Sequence, residues 1–103
     1  MSDFVYTVHC QIKDDNKIDE WLGWLKGGHI ADVMAGGAQS AKIIQLDDEE
    51  NSFQVQYIFA NRETFERYER EFAPALRDEG LKLFPQEDGF SYQRSTGQIL
   101  GEF

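Results

Sequence analysis

The sequence predicts an α+β fold with the element order β-α-β-β-α-β, closing into a four-stranded antiparallel sheet with two helices on one face. Three observations carry that expectation. Phe4 to Ile12 and Phe53 to Phe59 alternate their side chains with the period of a half-buried strand. Ile18 to Val33 and Phe65 to Leu76 repeat apolar residues at the spacing of one helix face. At 103 residues the chain is long enough for one hydrophobic core and too short for two, so a single domain over residues 1–103 is expected.

In chain order, the first strand sets Phe4, Tyr6, Val8, Cys10 and Ile12 on one side and Val5, Thr7, His9 and Gln11 on the other. Lys13-Asp14-Asp15-Asn16 supplies turn and N-cap chemistry, which starts a helix near Asn16 or Lys17. Its stripe is Ile18, Trp21, Leu22, Leu25, His29 and Val33. Gly27-Gly28 interrupts it, each glycine costing roughly 1 kcal/mol of helix stability, so a bend or a second short helix from His29 to Ala35 is expected before Gly36-Gly37 ends it. Strands over about 39–46 and 52–59 follow, joined as a hairpin by Asp47-Asp48-Glu49-Glu50-Asn51, an acidic link read as solvated loop. Asn61 caps the next helix, whose Phe65, Tyr68, Phe72 and Leu76 face the core while Glu63, Glu66, Arg67, Glu69, Arg70 and Glu71 clothe the rest. Pro74 kinks or divides that helix. Phe84-Pro85 and Asp88-Gly89 lead to a last strand from Phe90 to Ile99. Right-handed crossovers turn this order into the ferredoxin-like split βαβ plan.

Composition narrows the function. With 10 Lys and Arg against 19 Asp and Glu the formal charge is −9, a field that repels phosphate backbones and anionic headgroups, so neither nucleic acid nor membrane is an expected partner. The same element order serves RNA-recognition domains, but those stack bases on aromatics of the open sheet face, where this chain would carry Thr7, His9, Gln54 and Gln56. Cys10, the single cysteine, has no disulfide partner in the chain and reads as a buried small hydrophobe. No stretch reaches the ~18 apolar residues of a membrane span, and Met1-Ser2-Asp3-Phe4 shows no basic then apolar leader pattern, so the cytoplasm is the expected compartment.

Few residues carry chemistry. His29 can exchange a proton near neutral pH, and Asp32, one turn on, can orient its ring, which makes the pair the candidate catalytic residues. On the apolar stripe His29 reads first as a packing residue at the helix end, with chemistry as the second reading. His9, Gln54 and Gln56 form a polar patch on the face without helices and, with Arg77, are the candidate ligand-binding residues. In so acidic a chain Arg77 also suits an ion pair. Trp21 and Trp24, three apart, cannot both point at the core centre, so one packs and the other sits at a rim. Two histidines make no metal site, and no phosphate-loop lysine or serine follows Gly36-Gly37 at the required spacing, so no cofactor is expected.

The run Trp21-Leu22-Gly23-Trp24-Leu25-Lys26-Gly27-Gly28-His29-Ile30-Ala31-Asp32-Val33, followed by Tyr68 with Ala73-Pro74-Ala75-Leu76-Arg77 and then Phe84, resembles the DUF4286 family across nearly the whole chain. That family resembles the dimeric α/β-barrel proteins, in which two ferredoxin-like subunits pack sheet against sheet around a cavity and several of which are small-molecule enzymes without metal. The family pattern commonly has a histidine two residues before the proline of the second helix; this chain has Phe72 there. The resemblance implies a homodimer and names no activity. Independently of it, a sheet covered on one side leaves Val5 and Ile58 for a second copy to bury. Two functional classes follow: a small-molecule-binding or cofactor-free enzymatic protein with its cavity at the sheet face, or a non-catalytic interaction domain. They differ in whether His9, His29, Asp32 and Arg77 converge on one pocket.

Overall fold

Alternation in the first strand decides the architecture, because that strand is paired on both edges. In the structure, a computed structural model that describes residues 3–103, β1 (Phe4–Ile12) lies between β3 (Ser52–Phe59) and β4 (Phe90–Gln98), with β2 (Ser40–Gln45) outside β3. The order is β2-β3-β1-β4 and every pairing is antiparallel. Met1 and Ser2, part of the leader reading, lie outside the described residues.

Residues directly opposite share a face, so the pairs Tyr6 with Tyr57, Val8 with Val55 and Cys10 with Phe53 define one side, and Thr7 with Gln56 and His9 with Gln54 the other. The helices take the first side. Trp21 packs on Phe53 at 5.5 Å between ring centres and Phe65 on Phe4 at 5.1 Å, which puts both helical segments on one face. Phe4, Tyr6, Cys10, Ile12, Phe53, Val55, Tyr57 and Phe59 are buried there. On the other face Val5, Thr7, His9, Gln54, Gln56 and Ile58 are half-buried, and Lys42 is the one charged residue among the described strand positions sharing that side.

The plan of two plain helices is corrected to two broken segments, with the breaks where Gly27-Gly28 and Pro74 predict them. After a single 3-10 turn over Asp15–Lys17, held by the Asn16 N–H donating to the Asp14 carboxylate at 3.0 Å, α1 (Ile18–Trp24) runs into a π turn at Leu25–His29 and then α2 (Ile30–Ala35). The reason lies in the spacing of Trp21, Leu25, His29 and Val33. Each four-residue step drifts about 40° around an α-helix, and a wider turn with more residues cancels part of that drift, keeping Trp21, Leu25 and Val33 all buried. In the second segment Asn61 caps α3 (Arg62–Glu71), accepting from the Thr64 N–H and hydroxyl at 2.8 Å each. The chain breaks at Phe72, and Pro74 sits in the first turn of α4 (Ala73–Leu83), where its missing N–H costs no hydrogen bond.

The two segments meet at Gly36. A Cβ there would lie 2.9 Å from Tyr68 Cδ1 and 3.0 Å from Phe72 Cγ, whereas at Gly27 it would meet nothing within 4 Å. Gly36→Ala should therefore overpack the junction and destabilise by about 1–3 kcal/mol, and Gly27→Ala should melt at or above the parent temperature. Thermal melts of both variants check this; equal melting points would show that the Gly36 contact is not tight.

Candidate functional site

The helix breaks leave space beneath them. Between the helical layer and the inner face of the sheet lies a cavity of about 60 Å³, walled by Tyr6, Tyr57, Tyr68, Tyr92, Trp21 and Trp24, with Val8, Leu25, Val33, Val55 and Leu76 as aliphatic filling. His29 and Arg77 reach it from the two helical segments and Arg94 from β4. Glycine makes part of it possible: Gly80 on α4 faces Trp24, and a Cβ there would come within 3.1 Å of the indole.

His29 is held by that indole. Its ring stacks on Trp24 at 4.1 Å and 21°, while Phe84 backs the indole at 5.4 Å. Trp21 is in the core and Trp24 half-buried at the rim. Trp24 and His29 also line a shallow outer depression with Asp32 and Glu79, so the stacked pair separates the cavity from the surface. Burial lowers the His29 pKa, and the charges of Glu79 and Asp32 pull it back upward. Its Nδ1 is buried without a hydrogen-bond partner among the described residues.

Arg77 donates to the Tyr6 hydroxyl at 3.2 Å and to the Glu69 carboxylate. Burial opposes its charge, but Tyr6 and Glu69 together raise its pKa. Its Nε has no acceptor among the described residues. Arg94 is exposed and lies 5.9 Å from the Tyr92 ring centre. Burial raises the pKa values of Tyr57, Tyr68 and Tyr92, so all three are neutral phenols near pH 7. Tyr92 donates to the Phe84 carbonyl at 3.0 Å.

The sequence candidates therefore divide. His29 and Arg77 come together at the cavity, and Asp32 stands outside it beside His29. His9, Gln54 and Gln56 lie on the opposite face of the sheet, where the Gln56 amide donates to the Gln54 carbonyl at 3.4 Å and His9 Nε2 is buried without a partner among the described residues. Cys10 is fully buried and its thiol pushed up to about 12 by desolvation, which makes it a packing residue. No group of three or more metal-ligating side chains occurs among the described residues.

The profile of a domain of unknown function, DUF4286, matches residues 3–95. The chain belongs to DUF4286. No curated protein sequence matches it. Among solved structures, a dimeric ferredoxin-like protein from an uncultured marine organism is 12% identical with a TM-score of 0.73, each chain covered over 100% of its length. A second such marine protein is 14% identical with a TM-score of 0.68, covering 98% of this chain and 97% of that one. SnoaB, a cofactor-independent oxygenase from Streptomyces nogalater, is 10% identical with a TM-score of 0.65, covering 100% and 96%. At such identities the likeness carries the fold, which is ferredoxin-like.

In this DUF4286 chain sequence reasoning missed Tyr6, Tyr57 and Tyr68, which read as core, and did not single out Arg94 within the last strand. Parity was the available signal for Arg94, since it shares a side with Phe90 and Tyr92.

The His29 environment has two measurable consequences. His29→Ala removes the ring from Trp24 and should cost about 1–3 kcal/mol, visible as a drop of roughly 4–8 °C in melting temperature per kcal/mol. Because the folded-state pKa is depressed, the unfolded chain takes up the proton first as pH falls; the stability given by the neutral ring is complete above about pH 6.5 and declines toward the lower folded value. Melting curves between about pH 7.5 and 5 should fall more steeply for the parent than for His29→Gln. Parallel curves would show that the ring is not held neutral by burial.

Proposed function

We propose that this domain is the subunit of a homodimer that binds a small organic molecule in the cavity between helices and sheet, with His29 as proton acceptor in a reaction needing no cofactor. Two of the four residues whose convergence separates the classes support it: His29 and Arg77, brought from separate helical segments, reach one space whose other walls are mostly aromatic and aliphatic, while Asp32 and His9 lie outside it. A neutral, desolvated imidazole is the form that accepts a proton, and Asp32, outside the stack, biases the ring electrostatically. The description of SnoaB as a cofactor-independent oxygenase is consistent with such chemistry on this fold.

The dimer reading rests on the open sheet face. Its central residues are polar or aliphatic and nearly uncharged in a chain of charge −9, so a twofold copy can cover them without burying unpaired ions. Two solved relatives of the fold are described as dimeric. His9, Gln54 and Gln56 then line the space between the two sheets as a second, polar ligand surface. A lone buried cysteine suits a reducing cytoplasm, and no helix among the described residues is long and apolar enough to cross a membrane.

Two experiments test the reading. Light scattering at tens of micromolar (roughly the range where a standard interface is populated) should give twice the 11.9 kDa chain mass, and Thr7→Glu, which puts an unpaired carboxylate in the middle of the open sheet face, should give monomers. A panel of small phenols and enolisable acids in heavy water, followed by NMR, should show loss of an acidic C–H signal with the parent and at least ~100-fold slower exchange with His29→Gln. Binding without exchange would make the domain a binding module, and no binding by any member would favour the interaction-domain class.

A further inference from the structure

Resting on the small-molecule reading of this cavity, we propose that its ligand is anionic: a conjugated single-ring carboxylate whose charge lies against Arg94 and Arg77 and whose ring lies along the aromatic wall. The first argument is charge. The chain carries 19 acidic residues and a net −9, yet among the described residues none of those lining the cavity is an aspartate or glutamate, while two are arginines and one is histidine. An acidic exterior repels anions at long range, so a basic lining inside it is a local selection against the field of the whole molecule.

The second argument is partner accounting. Arg77 is offset by Glu69, and its Nε is left without an acceptor among the described residues. Arg94 has no ion pair among the described residues. An aromatic cavity by itself suits a cation, through the negative faces of its rings, but here those faces already meet guanidinium groups: Arg77 over Tyr6 at 6.0 Å and Arg94 over Tyr92 at 5.9 Å. A planar carboxylate matches the guanidinium fork. The Tyr6 hydroxyl, which accepts from Arg77, keeps its own proton to donate.

Size narrows the class. About 60 Å³ admits part of one ring and no polycycle, so the carboxylate end sits at the mouth, where exposed Arg94 and half-exposed Leu81 lie.

The test uses three near-isosteric probes, anionic benzoate, neutral benzamide and cationic benzylamine, titrated into the isotopically labelled full chain while the indole N–H resonances of Trp21 and Trp24 are followed. Benzoate should shift Trp24 with an affinity at least fivefold better than benzamide, and benzylamine should be weaker still. Arg94→Gln, an exposed position that leaves the core untouched, should bring benzoate down to the benzamide level, and raising salt should weaken benzoate alone. Equal affinity for all three, a preference for benzylamine, or unchanged benzoate binding in Arg94→Gln would overturn the anionic class while keeping the cavity as the site. No shift with any probe would remove the cavity reading as well.

Discussion

The register of β1 is the constraint on which the rest depends. It is paired on both edges, Phe4 with Phe59 on one side and with Gln98 on the other, so its alternation sets the faces of all four strands at once. A slip of one residue would carry His9 and Thr7 into the core and expel Tyr6 and Cys10. Everything described above follows from that sorting: the aromatic inner face on which the helices settle, the tyrosines that wall the cavity, and the nearly uncharged outer face.

The same sorting explains how much was legible in the sequence. Strands and faces follow from period-two alternation, the cap at Asn61 from its side-chain oxygen, and the break near Pro74 from a missing N–H, because each depends on residues close in the chain. The π turn was visible only as a disturbance at Gly27-Gly28, since a four-residue spacing of Trp21, Leu25, His29 and Val33 looks like a helical stripe until the drift per turn is added up. The cavity was not legible. It requires Gly80 to stand against Trp24, and those residues are brought together only by the packing of two broken helices. Nor does alternation tell a tyrosine that fills a core from one that borders a space, which is why Tyr57 and Tyr68 read as core.

His29 shows why the structural and chemical readings of one residue need not compete. Stacking on Trp24 fixes the ring, and burial keeps it neutral. Fixation and neutrality are what a proton acceptor needs, and they are also what a packing residue has. The stack therefore serves both duties, and a truncation that destabilises the chain does not by itself argue against chemistry.

Energetic reasoning connects the cavity to an occupant. Rings bordering an open space of about 60 Å³ forgo part of their packing contacts. A buried polar atom without a partner costs roughly 1–3 kcal/mol more unless water or a ligand satisfies it, and His29 Nδ1 and Arg77 Nε both belong to residues that line this space. Against a total stability on the order of 5–15 kcal/mol for a domain, that is a large local cost. An aliphatic side chain at position 77 would leave no orphaned Nε, so packing alone does not account for the arginine present. A bound molecule that supplies an acceptor for Arg77 and fills the space offsets both costs at once, and the fold is then most stable when occupied.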